Sequence, residues 1–289
     1  MATALVPIID PIERIERDIL RASTMLSTAE ARYLVDTYYQ VQDFRIASAA
    51  QVRSLNYQGE PSAFVGWTQV TMEYIELQIK NALDVYTDQS ITGQWLKSIV
   101  GIGPIIAAGL MAHIDITKAP TVGHIWRFAG LDPTMHWEKG EKRPWNADLK
   151  VICWKAGQSF MKVQSNPNDV YGKLYKQRKL WEIERNEAGE LADQARQALE
   201  TKRFKNPTVT RKAYEQGKLS DGHIDARARR WVVKLFLSHY HEVAYFVEYG
   251  ELPPNPYVLE HVGGHVHRVE VPNSDLVPGL REARHTFGR

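Results

Sequence analysis

The 289-residue chain is 44% hydrophobic and 24% charged with a formal net charge of +2, an ordinary globular composition, long enough for one large domain or two smaller ones. No apolar run reaches the roughly 18 residues that span a bilayer, and the start, MATALVPIIDPIERIERDIL, turns acidic too soon for a secretory signal. A single cysteine, Cys153, excludes an internal disulfide and a cysteine-based zinc site. A cytoplasmic protein with no membrane segment is the expectation.

The small net charge hides an uneven distribution. Residues 1–90 carry 7 basic and 12 acidic side chains, a net of −5. Residues 139–185 carry 11 and 5, a net of +6, and residues 201–234 carry 10 and 3, a net of +7. A basic second half behind an acidic front suits a polyanion-binding face. A solvated helix surface is the bland alternative for any one run.

Helical signals dominate from the start. STAEARYLVDTYYQVQDFRIASAAQVRSL opens with Ser27 and Glu30 at capping-box spacing, and apolar residues then recur with helical period until NYQGEP breaks it. A second long helix, about 62–85, pairs with the first as an antiparallel hairpin. Tyr38, Tyr39, Tyr57, Trp67 and Tyr74 read as packing residues of this pair. A short helix near 94–98, a glycine turn and a helix from Pro104 to about Ile114 follow. Thr121 caps VGHIWRFAG, which Gly130 closes. LDPTMHWEKGEKRPWNADLK is a polar, aromatic-rich loop, and Asn146 caps a helix to about Val163 that carries Cys153 as a buried thiol. A long, polar, charge-laced helix over 168–200 suggests self-association, so a homo-oligomer is an open expectation. The last strong helix runs from Ser220 to Tyr249, stopped by Gly250. Beyond it the chain is rich in proline and glycine, with HVHRVEV the one strand-like stretch.

The fold expected is mainly α: a helical hairpin over residues 1–90, a helix-hairpin-helix core over 91–165, long basic helices over 166–250 and an extended, partly strand-like tail over 251–289.

The stretch IVGIGPIIAAGL carries the sharpest chemistry. Gly101 and Gly103 permit a tight turn, and Pro104 suits the first helical position because its missing N–H would be unpaired there. The free amides at that helix start lie at the positive end of the macrodipole and form a phosphate site. Val100 to Gly103 meets the hydrophobe-Gly-hydrophobe-Gly pattern and so resembles a helix-hairpin-helix, which implies sequence-independent contact with the DNA backbone through Gly101, Ile102 and Gly103. A plain glycine-rich helix connection is the alternative.

The resemblance extends further. LKSIVGIGPIIAAGLMAHI, the FAGLDP after it and the lysine-bearing NADLKVICWKAGQSF resemble the C-terminal domain of the insertion sequence 110, 116 and 902 transposase family over roughly residues 92–180. GHIDARARRWVVKLFLSHYHEV and PYVLEHVGGHVH are similar to the tails of proteins grouped with it. That family combines a RuvC-like nuclease domain with a serine nucleophile after the GL-P segment. Here the first 90 residues read as helical, and TMHWEKGEK holds no serine. The resemblance therefore implies DNA binding without that pair of catalytic centres. APTVGHIWRFAGL also has the outline of the hairpin-following segment in helix-hairpin-helix base glycosylases, with Gly123 where their aspartate lies.

Candidate chemistry clusters after the hairpin. His124, Asp132, His136 and Glu138 are candidate catalytic residues, since an imidazole beside a carboxylate suits acid–base work. Trp126, Trp137 and Trp145 are candidate base-stacking residues. Lys97, Arg127, Lys142, Arg143, Arg227 and Arg230 are candidate DNA contacts. His223 and Asp225 read as either a catalytic pair or helix-start chemistry. His239 and His241 point apart on a helix, whereas His265 and His267 would share a strand face and can bind a metal jointly; no metal ligand set is assigned. The partner expected is DNA, with RNA left open and any cofactor unknown. Two functions remain: a DNA-modifying enzyme acting on a base or strand, by analogy with group transfer to pre-activated bases in phage DNA, and a non-catalytic DNA-binding or recombination accessory protein of transposase descent.

Overall fold

The computed structural model describes residues 21–204, 206–254 and 269–287. Among them the fold is all-α, with eleven α-helices and three short 3-10 turns. The helices divide between two compact units. One comprises the chain up to Lys97 with Gly103–Asp115; the other comprises Ser98–Ile102 and the chain from Ile116 onward.

The first unit is built on α1 (Thr28–Gln58) and α2 (Ala63–Asp88). Ser27 and Glu30 form the expected capping box, the Ser27 hydroxyl accepting the Glu30 N–H and the Glu30 carboxylate accepting the Ser27 N–H. Gly59 ends α1, and Ser62 caps α2 by accepting the Val65 N–H. Across the pair, Arg45 Nε meets Glu76 at 2.5 Å, and Gln42 donates to the same carboxylate at 2.9 Å. Ala31, Val35, Ile79 and Leu83 form the buried seam. α3 (Ile91–Ser98) and α4 (Pro104–His113) flank the glycine turn. α4 is apolar on nearly every side, and packs on both α1 and α2. One packing assignment needs correction: Tyr57, in the last turn of α1, is 95% exposed and packs in no core.

The second unit contains α5 (Val122–Phe128), α6 (Ala147–Val163), α7 (Tyr171–Glu187), α8 (Ala192–Thr201), α9 (Val209–Glu215), α10 (Asp221–Tyr249) and α11 (Leu280–Phe287). Asn146 caps α6 as expected, its side-chain oxygen accepting the Leu149 N–H at 2.8 Å. α10 is the central helix, in contact with α5, α6 and α7. At its middle Phe160 stacks on Tyr171 with centroids 4.9 Å apart, and Phe236 meets both rings edge-on at 5.2 Å. The polar helix expected over 168–200 is two helices, α7 and α8, because the chain turns at Gly189. α8 and α9 bury Leu191, Ala195, Tyr214 and Leu219 in a small core of their own with Ile224. The tail holds a helix the sequence pattern did not suggest, α11, anchored by buried Leu280 and by Arg284 on the buried Glu242 carboxylate. His261, His265, His267 and most of HVHRVEV lie outside the described residues.

Candidate nucleic-acid interface

The two hairpin glycines do different work. Gly101 has φ +95°, where a side chain is strained, and a Cβ there would sit 3.1 Å from Val163 and 3.2 Å from the Ser159 hydroxyl. The Ser159 hydroxyl also donates to the Gly101 carbonyl at 2.5 Å. Ile102 is engaged as well, its side chain buried and its N–H bonded to the Ile99 carbonyl. Gly103 is exposed, with φ −95° and ψ 177°, and a Cβ there would meet nothing within 4 Å. It is the N-cap of α4 and provides no side-chain cap, so the amides at this helix start can donate outward to an anion.

Beyond the hairpin, three tryptophans of the α5–α6 region each lie under a cation. Lys234 Nζ sits 4.2 Å from the centroid of Trp126, Lys150 Nζ 4.1 Å from Trp145, and Arg143 Cζ 5.2 Å from Trp137. The rings are fixed from beneath. Trp126 donates its indole N–H to the Lys234 carbonyl at 3.0 Å, tying α5 to α10, and Trp137 donates to the Glu141 carbonyl at 2.7 Å. Trp145 lies against Gly130, where φ is +64° and a Cβ would approach the indole to 2.8 Å. Only glycine serves there, for both reasons. The stacking faces expected for bases thus carry positive groups, each held by an attraction of about 0.5–2 kcal/mol.

The cations crowd one another. Partial burial pushes the Lys150 ammonium below its ordinary value, and the charges of Arg143 and Arg230 push it the same way. Arg230 is lowered by partial desolvation and by Arg227. Burial lowers Lys234, with the Asp132 charge opposing. Arg143 of the loop, Lys150 at the start of α6 and Arg230 of α10 therefore lie close enough for like charges to repel, and an anion placed there would relieve the repulsion; Lys234 stands nearer Asp132.

Other candidate cations are bound within the fold. Arg227 Nε meets Glu182 at 2.9 Å, and its Nη1 donates to Gln194 at 2.5 Å. Arg178 closes on the same Glu182 carboxylate at 2.6 Å. Glu182 is 1% exposed; burial raises its carboxyl, yet the hydrogen bonds from Arg227 and Arg178 hold it below the ordinary value. Lys97 bridges Asp84 at 2.5 Å and Asp88 at 2.6 Å in the first unit. Arg127 and Lys142 are exposed, and Arg127 acts with Lys234 on Asp132.

The four candidate catalytic residues do not meet: among the described residues no hydrogen bond or ion pair joins any two of them. His124 Nδ1 lies 3.0 Å from the Thr121 hydroxyl at the start of α5. Asp132 accepts from the Thr134 N–H at 2.9 Å and hydroxyl at 2.8 Å, which lower its carboxyl, as do Arg127 and Lys234. His136 and Glu138 are exposed. His223 and Asp225 also part: His223 Nδ1 is 3.2 Å from the Tyr214 hydroxyl, whereas Asp225 takes the Tyr175 hydroxyl, Lys179 and Arg229. His239 accepts from the Tyr171 hydroxyl at 2.7 Å and donates Nε2–H to the Val269 carbonyl. His241 donates Nε2–H to the Ala119 carbonyl at 2.7 Å, and burial lowers its pKa. Cys153 is buried, its thiol pushed up to about 12, so it is no nucleophile. Among the described residues no group of three His, Cys, Asp or Glu is placed to hold a metal ion.

Lys150 and Lys234 are members of the face that sequence reasoning missed. Lys234 had a signal, since Arg227, Arg230 and Lys234 follow i, i+3, i+7 on one helix stripe. Lys150 had none, because the loop fold alone brings Trp145 beneath it.

Among the described residues an all-α fold with a glycine turn between two helices and a cation-bearing loop is the class that this architecture defines. Residues 93–144, which span most of α3, the turn, α4, α5 and the tryptophan loop, match the family model described as Transposase IS116/IS110/IS902 family. No curated protein and no solved structure matches the chain.

Proposed function

We propose that this protein binds DNA through its phosphate backbone and serves as a non-catalytic DNA-binding or recombination accessory factor of transposase descent. The crowded cations over tryptophan carry this reading. Lys150, Arg143 and Arg230 stand together, and among the described residues the charges that act on Lys150 and Arg230 are those of other cations. A fold gains nothing from that repulsion by itself, whereas a phosphate chain neutralises it. The transposase-like segment contains the hairpin and most of the loop, which supports DNA as the polyanion. The amides at the start of α4 would add a second backbone contact, and neither element reads base identity.

Salt-dependent binding of the full chain to duplex DNA tests the proposal. Lys150→Glu with Arg230→Glu should lower the log–log salt slope by about 2, roughly one unit for each lost phosphate contact, alike for all sequences. An unchanged slope removes the face from the account. The second reading, a reaction on a base or strand, draws on Asp132, a loop carboxylate that the Thr134 hydrogen bonds and the charges of Arg127 and Lys234 hold below its ordinary value. Mass analysis of nucleosides recovered from plain and base-modified duplexes decides it: a mass change confined to one base would make this an enzyme, and Asp132→Asn should then abolish the change.

A further inference from the structure

The second unit contains six tryptophans: Trp126, Trp137, Trp145, Trp154, Trp181 and Trp231. Five lie under a lysine or arginine. Arg178 stands over both Trp181, at 4.0 Å, and Trp231, at 5.3 Å, in addition to the three pairs of the face. Trp154 is the exception. Among the described contacts no cation, ring or hydrogen bond engages it, and at 58% it is more exposed than any other tryptophan of the unit.

Its place is specific. Lys150, Trp154 and Gly157 follow i, i+4, i+7 on α6 and therefore share one stripe of that helix. Lys150 ends that stripe among Arg143 and Arg230. Gly157 is where α10 comes close, a Cβ there lying 3.0 Å from Val233 and 3.7 Å from Arg229. Trp154 stands between these two points, next to the cationic face, with exposed Val151 one turn before it. An indole this open to water costs hydrophobic free energy, and the stripe it occupies leads directly to Lys150 and the positive charges of Arg143 and Arg230 that act on it. A partner helix with an apolar surface would leave that charge unmet. A nucleic-acid strand meets both, with phosphates on the cations and a base on the ring.

We propose that Trp154 stacks an unpaired base, so that the face beside it grips single-stranded or locally opened DNA more tightly than closed duplex. The inference rests on the backbone-binding reading of the cationic face. In a duplex the base planes are already stacked and shielded, so Trp154 has nothing to receive; an unpaired base offers its π-face whatever its identity.

The test compares the full chain with Trp154→Ala and Trp154→Phe on an oligodeoxythymidine and on a duplex of matched length, with circular dichroism as the check on folding. Trp154→Ala should weaken single-strand binding by about 5- to 150-fold, the range that one base–aromatic stack represents, and leave duplex binding as it was. Trp154→Phe should restore most of the loss, and the unaltered chain should show tryptophan fluorescence quenching with the single strand that Trp154→Ala largely lacks. Equal single-strand affinity for the unaltered chain and Trp154→Ala, with duplex binding intact, overturns the inference alone. Equal losses on both substrates overturn it too, as does a dimer that dissociates in Trp154→Ala at unchanged strand affinity, which would give the ring to a second copy of the chain. Failure of the unaltered chain to bind either substrate overturns the cationic face and the inference with it.

Discussion

Two regions of the second unit are rich in arginine and lysine, and they treat their charge in opposite ways. At the α7–α10 seam, Arg178 and Arg227 close on buried Glu182, while Lys179 and Arg229 close on Asp225. At the outer edge of α10 and the start of α6, Lys150, Arg143 and Lys234 are laid over indole rings, and Arg230 acts on Lys150. A paired cation satisfies the fold. A cation over an aromatic ring is held in position yet keeps its capacity to meet an anion. Basic composition alone does not identify a binding face; the partner beneath each charge does.

The largest effect should come from the seam. Glu182→Gln leaves two arginines facing an uncharged buried group, and should cost about 3–5 kcal/mol of stability, read by denaturant unfolding. A cost within about 0.5 kcal/mol, as for a surface site, would erase the distinction between the regions. Next is Gly101→Ala, which forces a side chain into the left-handed region against Val163 and should cost at least about 1–2 kcal/mol.

The two regions should also respond to pH in different ranges, one acidic and one alkaline. The Glu182 carboxyl is lowered in the fold, so its stabilisation is full above the unfolded carboxyl value, about 4.3, and is lost as pH falls through the lower folded value. Lys150 and Lys234 are lowered too, but they are cations. The folded chain releases these protons before the unfolded chain does, so stability rises as pH climbs toward the ordinary lysine value, about 10.4. DNA affinity should fall over the same alkaline range, as the ammonium groups lose their charge. A binding curve that stays level until the ordinary lysine range would detach these two residues from the contact.

The smallest effect sharpens the account of the hairpin. Gly103→Ser supplies a cap that α4 lacks at a backbone conformation open to any residue, and should raise stability by a few tenths of a kcal/mol, roughly the margin between serine and glycine caps. The hydroxyl would then occupy amides that the proposal assigns to phosphate, so DNA affinity should fall slightly while stability rises. Parallel loss of both would mean that Gly103 is merely structural.

Local chemistry was legible from the residues themselves. The Ser27–Glu30 box, the Asn146 cap, the Pro104 start and the Gly250 stop each sit where their side chains or backbone freedom require, because capping depends on neighbours three or four residues away. The glycine turn and the transposase likeness of its segment were readable for the same reason. The break of the long polar stretch at Gly189 was missed, since charge lacing is compatible with one helix or two, and α8 and α9 bury their own small core. What only the tertiary structure decided is which charges meet a carboxylate among the described residues and which meet other cations. Arg227 and Arg230 stand three residues apart on one helix, and nothing in their sequence separates them. Glu182 arrives from α7 to bind the first, while Lys150 arrives from α6 to crowd the second. Electrostatic partners act across a few ångströms of space, so the role of each cation follows from the packing of distant helices and not from its neighbours in the chain.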